Sequence, residues 1–218
     1  IHPNLHLLRA ASIEQTLFED PVDRTRALTD ALNSANHCLE LAGVPSTVET
    51  LPGATSWAAL TVRGLIELQL AQPSKAQHSF QLALAQQPDH QPAQLGQAEV
   101  HARLGATEKS LKMLEPLLEA NVADAWVVAA DLAARAHRFE DVILFLERAE
   151  HNRPDPVRSV HRVARANELR MFCQAWRLYC RTTQEPFTPS AGDADSLVEQ
   201  AEALFNQGKY DAAVARLF

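Results

Sequence analysis

The sequence predicts an all-α protein, an α-α superhelix of antiparallel helix pairs packed side by side. Three observations carry that expectation. The composition favours helix: seven Gly in 218 residues, 6% aromatic residues, and plentiful Ala, Leu, Gln and Glu with few long β-branched runs. Apolar residues recur three and four apart, as in 22–41, where Leu28, Ala31, Leu32, Ala35, Cys38 and Leu39 are spaced for one face. Short stretches also repeat. Residues 137–154, HRFEDVILFLERAEHNRP, place Val142, Leu146, Ala149 and Pro154 at the offsets of Ala76, Phe80, Ala83 and Pro88 in residues 71–88, AQPSKAQHSFQLALAQQP.

The elements follow in order. A helix is expected over 5–18. Asp20-Pro21 breaks and restarts the chain, because Pro fits a first helical position, and a second helix runs over 22–41. Gly43, Pro45, Pro52 and Gly53 mark a loop at 43–55, which separates an N-terminal helical cap (1–55) from the rest. Helices then alternate with short turns near 56–71, 74–86, 90–104, 107–120, 123–136, 139–151, 156–169 and 171–184. Pro116 lies inside the fourth of these, where it removes a backbone hydrogen bond and is expected to bend the helix. The run PFTPSAGDAD at 186–195 reads as a loop. A helix at 195–207, a turn at Gly208 and a new helix from Tyr210 end the chain. This organisation gives four pairs over 56–186 and a loop plus an incomplete fifth pair over 187–218.

The recurrence has a physical reason. Two antiparallel helices cannot bury both apolar faces alone. Small residues such as Ala76 and Ala149 allow close approach, and bulky ones such as Phe80 and Leu146 fill the space towards the next pair. A step of 34 residues carries Ala76, Phe80 and Ala83 onto Ser110, Leu114 and Leu117, Gly64 onto Ala98, and Ala71 onto Gly105. A further 32 reaches Val142, Leu146 and Ala149, and a further 33 reaches Ala175, Tyr179 and Thr182, a weaker copy.

This spacing resembles the tetratricopeptide repeat (TPR). Trp126, Gly64 and Ala201 echo the first helix of that repeat. Gly105 and Gly208 echo its turn, with Phe139 and Tyr210 just after, and Ala76, Phe80, Ala83 and Pro88 echo its second helix. The C-terminal AEALFNQGKYDAAVARLF is the sharpest match. The resemblance covers about 56–218. It departs at Arg63, where the family prefers Leu, and at 156–184, which lacks the turn Gly and the Pro. It implies a right-handed solenoid whose concave face, lined by the first helix of each pair, binds an extended peptide or a helical segment of a partner protein.

Placed in that register, Thr61, Leu95, Val127, Val160 and Val198 form a stripe from pair to pair. Leu65, Glu99, Asp131, Ala164 and Glu202 run beside it, then Leu68, Ala102, Ala134 and Phe205, with Arg103 and Arg135 deeper along the groove. The stripe reads either as packing within the superhelix or as an apolar groove with acidic points. One TPR subclass clamps chaperone C-terminal carboxylates with Lys and Asn. The matching positions here hold Thr61, Leu65, Leu95, Glu99, Val127 and Asp131, so that clamp is absent.

A second feature is cationic. Seven Arg fall between 153 and 181 against Asp155 and Glu168, and Arg158, Arg162 and Arg165 are spaced four and three apart, on one helix face. They read either as complements of the acidic residues that follow (Asp193, Asp195, Glu199, Glu202) or as a patch for an anionic partner, since the guanidinium fork suits carboxylate and phosphate.

Other chemistry finds little support. Net charge is −7, which argues against nucleic acid as the main partner. No apolar run approaches the roughly 18–20 residues of a membrane span. No phosphate-loop, dinucleotide, zinc-protease or nucleophile-elbow motif occurs, so neither catalysis, cofactor nor metal is expected. Glu147 and Glu150, like Glu115 and Glu119, read as solvated carboxylates rather than an acid/base pair. His2 and His6 read as terminal histidines. Cys38, Cys173 and Cys180 are odd in number without metal spacing and read as small apolar residues; free thiols tilt the compartment towards cytoplasm, with the periplasm as the alternative.

The chain begins at Ile1 rather than Met and stops about two turns into a helix with Val214, Leu217 and Phe218 uncovered, so a fragment of a longer protein is expected. The functional expectation is a non-enzymatic protein-interaction scaffold. The alternative is the TPR region of a larger bacterial-type enzyme or exporter, such as a glycosyltransferase or polysaccharide-secretion protein. Self-association through the C-terminal helix is a third expectation.

Overall fold

The computed structural model describes residues 2–18, 20–44, 51–151 and 159–183, with side chains described as far as 177. Among them are α1 (Pro3–Glu14), α2 (Pro21–Glu40), α3 (Trp57–Gln69), α4 (Pro73–Gln86), α5 (Gln91–Arg103), α6 (Thr107–Glu119), α7 (Ala123–Arg135), α8 (Phe139–His151) and α9 (Val160–Thr183), and no strand. The fold is all-α.

Local chemistry starts several of these helices. Asp20 caps α2: its carboxylate accepts the Val22 N–H at 2.7 Å, and Pro21 occupies the first turn, where a missing N–H costs nothing. The His2 ring nitrogen Nδ1 accepts the Asn4 N–H at the start of α1. Pro73 and Pro92 open α4 and α5 in the same way. Pro116 lies inside α6, which continues through it to Glu119.

The first and second helices of each pair form two layers. α1 packs on α2, α3 on α4, α5 on α6 and α7 on α8. Consecutive first helices also touch: α1 with α3, α3 with α5, α5 with α7, and α7 with α9. Among the described residues no such contact joins α2, α4, α6 and α8 to one another. The first-helix layer is therefore the tighter one, and the stack curves with α1, α3, α5, α7 and α9 on the inside.

The repeat positions form the seam between layers. Ala76, Phe80 and Ala83 of α4, Ser110, Leu114 and Leu117 of α6, and Val142, Leu146 and Ala149 of α8 are all at most 3% exposed. In α2, Ala31, Ala35 and Cys38 keep the same +4 and +7 offsets and are fully buried. The two helices α1 and α2 thus pack as a hairpin of the stack, since both contact α3. The Phe80 ring sits between bare backbone on two inner helices. A Cβ at Gly64 of α3 would come within 2.7 Å of it, and one at Gly96 of α5 within 2.3 Å. Trp126 of α7 lies under the Arg148 guanidinium of α8, 4.8 Å from the ring centroid.

The turns within α3–α4, α5–α6 and α7–α8 each use one residue in the left-handed region: Ala71 (φ 56°), Gly105 (φ 76°) and His137 (φ 56°), 34 and 32 residues apart. The bonds repeat as well. Gln72 N–H donates to the Glu67 carbonyl at 2.8 Å, Ala106 N–H to His101 at 2.8 Å, and Arg138 N–H to Ala133 at 2.9 Å, which closes each first helix with a Schellman cap. The link from α6 to α7 uses the same cap at Asn121 (φ 55°), with Val122 N–H donating to Leu117 at 2.9 Å.

One pair differs from the sequence expectation. Where helices at 156–169 and 171–184 are expected, α9 is one helix of 24 residues running straight through Arg170. No Gly, Pro or capping residue interrupts ELRMFCQAW, and Leu169, Phe172 and Cys173 hold one buried stripe against α7 and α8. The described stack is therefore four hairpins and a single ninth helix. The fifth pair expected within 187–218 lies outside the described residues, as does the boundary at 186.

Two substitutions test this packing. Ala71→Gly removes the cost of holding an L-residue at φ 56° and is expected to stabilise the fold by up to about 1 kcal/mol in urea unfolding, whereas Gly105→Ala is expected to lose a similar amount. Gly96→Ala drives a methyl into the Phe80 ring and is expected to cost about 1–3 kcal/mol, partly recovered by Phe80→Leu in the same chain.

Candidate functional site

The inner layer encloses an open cavity of about 490 Å³. Seven residues singled out in the sequence line it: Glu99 and Arg103 from α5, Val127, Asp131 and Arg135 from α7, and Arg162 and Arg165 from α9. The groove and the arginine patch, read separately in the sequence, meet at one place.

Helical spacing builds the first contacts. Glu99 and Arg103 are four apart on α5 and pair at 2.8 Å; Asp131 and Arg135 repeat this on α7, also at 2.8 Å. α9 then adds a second guanidinium to each carboxylate. Arg162 reaches Glu99 with Nη2 at 3.0 Å and Nε at 3.2 Å, and Asp124 with Nη1 at 3.4 Å. Arg165 donates from Nε to Asp131 at 2.8 Å and from Nη1 to Glu168 at 2.9 Å. Arg103 also donates to the Leu68 carbonyl at the end of α3, at 2.9 Å. Asp124 accepts the Ser159 N–H at 3.2 Å, just ahead of α9, which places a carboxylate at the positive end of that helix.

The first helix joins the same cluster. Glu14 and Gln15, at the C-terminal end of α1, meet the N-terminal turn of α9. Gln15 Oε1 accepts the Val160 N–H at 2.9 Å, and Glu14 Oε1 lies 3.3 Å from His161 Nδ1. Gln69 of α3 donates to the Glu14 carboxylate at 2.9 Å and to its backbone carbonyl at 3.1 Å. His161 Nε2 faces Glu99 at 3.8 Å.

Burial makes these contacts consequential. Arg162 is 5% exposed and Glu14 3%. Burial alone would push the Glu99 carboxyl up, but the Arg162 guanidinium, the facing His161 ring and the nearby Arg103 hold it well below the usual carboxylate range. Burial alone would lower His161, yet the facing Glu14 and Glu99 carboxylates raise it above its ordinary value near 6.5. The Arg162 guanidinium is raised further still, by Glu99 and Asp124, against its own desolvation.

The remaining candidate residues are placed differently. Thr61, Leu65 and Leu95 are buried in helix packing, and Thr61 Oγ1 donates to the Trp57 carbonyl at 2.8 Å. Val127, 1% exposed, supports the cavity floor from beneath. Val160 is half-buried. Arg158 and the acidic residues at 193–202, read as complements of the arginines, lie outside the described residues. Among the described residues Arg162 pairs with Glu99 of α5 and Asp124 of α7, and Arg165 with Asp131 of α7 and Glu168 of α9. Arg63, where the family prefers Leu, donates to Ser79 Oγ at 2.9 Å, and Ser79 donates to Glu67 at 2.6 Å, which ties α3 to α4 by a polar bridge.

Sequence reasoning missed Glu14, Gln69, Asp124 and His161. Asp124 was legible in principle, three residues before Val127 on the same helix face, and His161 adjoins Val160 of the stripe. Nothing in the sequence points to Glu14, which lies 147 positions before His161. Cys38 and Cys173 are buried free thiols; burial raises both, Cys173 to about 11, so they sit as small apolar residues rather than nucleophiles. Among the described residues no cluster of His, Cys, Asp and Glu is arranged to hold a metal ion, and no helix is long and apolar enough to cross a membrane.

No protein-family model and no curated protein matches the chain. Among solved structures, a tetratricopeptide repeat protein from Parabacteroides merdae is similar at 19% identity and a TM-score of 0.47, covering 98% of this chain and 77% of that one.

The site yields a stability test. Arg162→Ala strands the Glu99 and Asp124 carboxylates in a buried setting and is expected to cost about 3–5 kcal/mol in urea unfolding, whereas the double variant Arg162→Met with Glu99→Met is expected to recover the share that belongs to Glu99. In the unsubstituted protein the Glu99 contribution is present above the ordinary carboxylate pKa of about 4.3 and is lost as pH falls towards its depressed folded value.

Proposed function

We propose that the protein is a protein–protein interaction scaffold that docks an acidic, extended segment of its partner at the mouth of the inner cavity. The supporting observation is the charge of the lining. Five guanidiniums (Arg24, Arg103, Arg135, Arg162, Arg165) face three carboxylates (Glu99, Asp131, Glu168), although the whole chain carries −7. Two of those arginines are under-used. Arg24 makes no side-chain ion pair among the described residues. Arg135 is half exposed and bonds Asp131 through Nε, leaving its terminal amines open. A guanidinium with free donors at a cavity rim is suited to a carboxylate. The buried Leu95 and Val127 act in this reading by shaping the wall and not by touching the partner, so an Asp at either is expected to unfold the stack rather than weaken binding selectively.

The test uses peptides. Random dodecapeptides displayed on phage are expected to enrich for Asp and Glu on the wild-type protein. Arg24→Glu and Arg135→Glu are each expected to weaken a selected peptide by roughly tenfold, about 1.4 kcal/mol, and more so at low salt. Enrichment of basic peptides, or affinity indifferent to both reversals, would reject the reading.

A further inference from the structure

The backbones of α1 and α9 do not pack on each other among the described residues, yet the two helices meet. Their meeting rests on side chains: Gln15 on the Val160 N–H, and Glu14 on His161. These contacts close the curved inner layer into a ring on one flank of the cavity. A second, smaller hollow of about 230 Å³ lies at this junction, lined by Glu14, Leu17, Arg24, Gln69, His161 and Glu168 among others. The ring is thus closed by one titratable contact and one neutral one, with open space beside them.

We propose that His161 is a proton-operated latch: charged, it holds the end of α1 against the start of α9, and neutral, it lets the ring open and widens the way into the cavity.

The geometry gives the reason. A charged imidazole has two N–H donors. Nδ1 lies 3.3 Å from Glu14 on α1, and Nε2, which has no hydrogen-bond partner among the described residues, lies 3.8 Å from Glu99 on α5, so one ring sits between two carboxylates on separate helices. A neutral imidazole keeps one N–H, and the other nitrogen then turns a lone pair towards a carboxylate. The Ser159 hydroxyl, already 2.6 Å from Nδ1, can donate to that lone pair, whereas beside a charged ring it can only accept. The charged groups around the imidazole are Glu14 from α1, Arg24 from α2, Glu99 and Arg103 from α5, Asp124 from α7, and Arg162 and Glu168 from α9 itself. α3 contributes the uncharged Gln69. The charges of α8 that face α9, Glu140 and Glu150, pair with Arg177 and Arg170 further along the helix. With His161 neutral, Arg162 still holds Glu99 and Asp124, so α9 stays on α5 and α7 while its junction with α1 is weakened to the neutral Gln15–Val160 hydrogen bond.

The direction of the pH effect follows. His161 is raised in the folded protein, so the latch is fully engaged below its ordinary value near 6.5 and is lost as pH rises through the folded value.

The test measures the distance across the junction. Spin labels are placed on the exposed positions Leu17→Cys and Asn167→Cys, with Cys180 replaced by Ser and the buried Cys38 and Cys173 left in place. A single narrow distance is expected at about pH 5.5, and a longer, broader distribution once pH has risen through the folded value. In His161→Gln the distribution is expected to stop responding to pH while the helical circular dichroism is kept. A distribution that does not change with pH in the otherwise wild-type chain overturns the proposal, as does a pH response that survives in His161→Gln. Should His161→Gln lose its helical signal, Glu14→Gln takes its place. It is expected to move the midpoint to lower pH, and an unmoved midpoint overturns the proposal equally.

Discussion

A buried guanidinium between two carboxylates sets the shape of this protein. Arg162 is nearly enclosed, and its desolvation is tolerable only because Glu99 and Asp124 meet it from different helices. Helix packing in the stack runs between neighbours, each first helix touching the next one along. The Arg162–Glu99 pair skips a helix: it joins α9 to α5, whose backbones are not packed together among the described residues. The Glu14–His161 contact skips further, from the first hairpin to the ninth helix. Nearest-neighbour packing would leave the curvature soft, as in an open spring. Charges that reach across the hollow give it one preferred closure.

The two kinds of interaction divide the work. The seam between layers is apolar and repeats: small residues at Ala76, Ser110 and Val142 allow approach, and Phe80, Leu114 and Leu146 fill the interval. Such positions are legible because close packing demands the same sizes at the same offsets wherever two hairpins stack. The inner face obeys a second repeat, carboxylate then arginine four residues on, at Glu99–Arg103 and Asp131–Arg135. Its helical spacing was also readable. Its partner was not, because Arg162 and Arg165 come from a helix placed by curvature rather than by local sequence.

The misread parts have physical causes too. α2 carries the seam pattern at Ala31, Ala35 and Cys38, but the long connection to α3 stretches the interval to Ala76 to 45 residues and hides the register. The turn residues Ala71 and His137 occupy a backbone region that favours Gly, so no Gly marks two of the three within-pair caps; the Schellman bonds and the packing on either side impose the conformation. At 156–184 the repeat length suggested a hairpin. Length alone does not make a turn: without a residue that ends a helix, the stripe Leu169, Phe172 and Cys173 keeps α9 going along the side of α7 and α8.

The same charges bear on what the hollow can admit. Glu99 and Asp131 already have two guanidiniums each, so a ligand entering the centre must displace an existing partner, which at Glu99 includes the desolvated Arg162, an exchange with little net gain. The rim differs. Arg24 and Arg135 are exposed enough to keep their water and retain free donors, so a carboxylate arriving there gains contacts without breaking any. An internally paired core with an unpaired rim therefore favours a partner that lies across the opening over one that fills it. In the proposed mode a partner lying across the opening would span the junction of α1 with α9, so loosening that junction would also change the surface proposed to receive it.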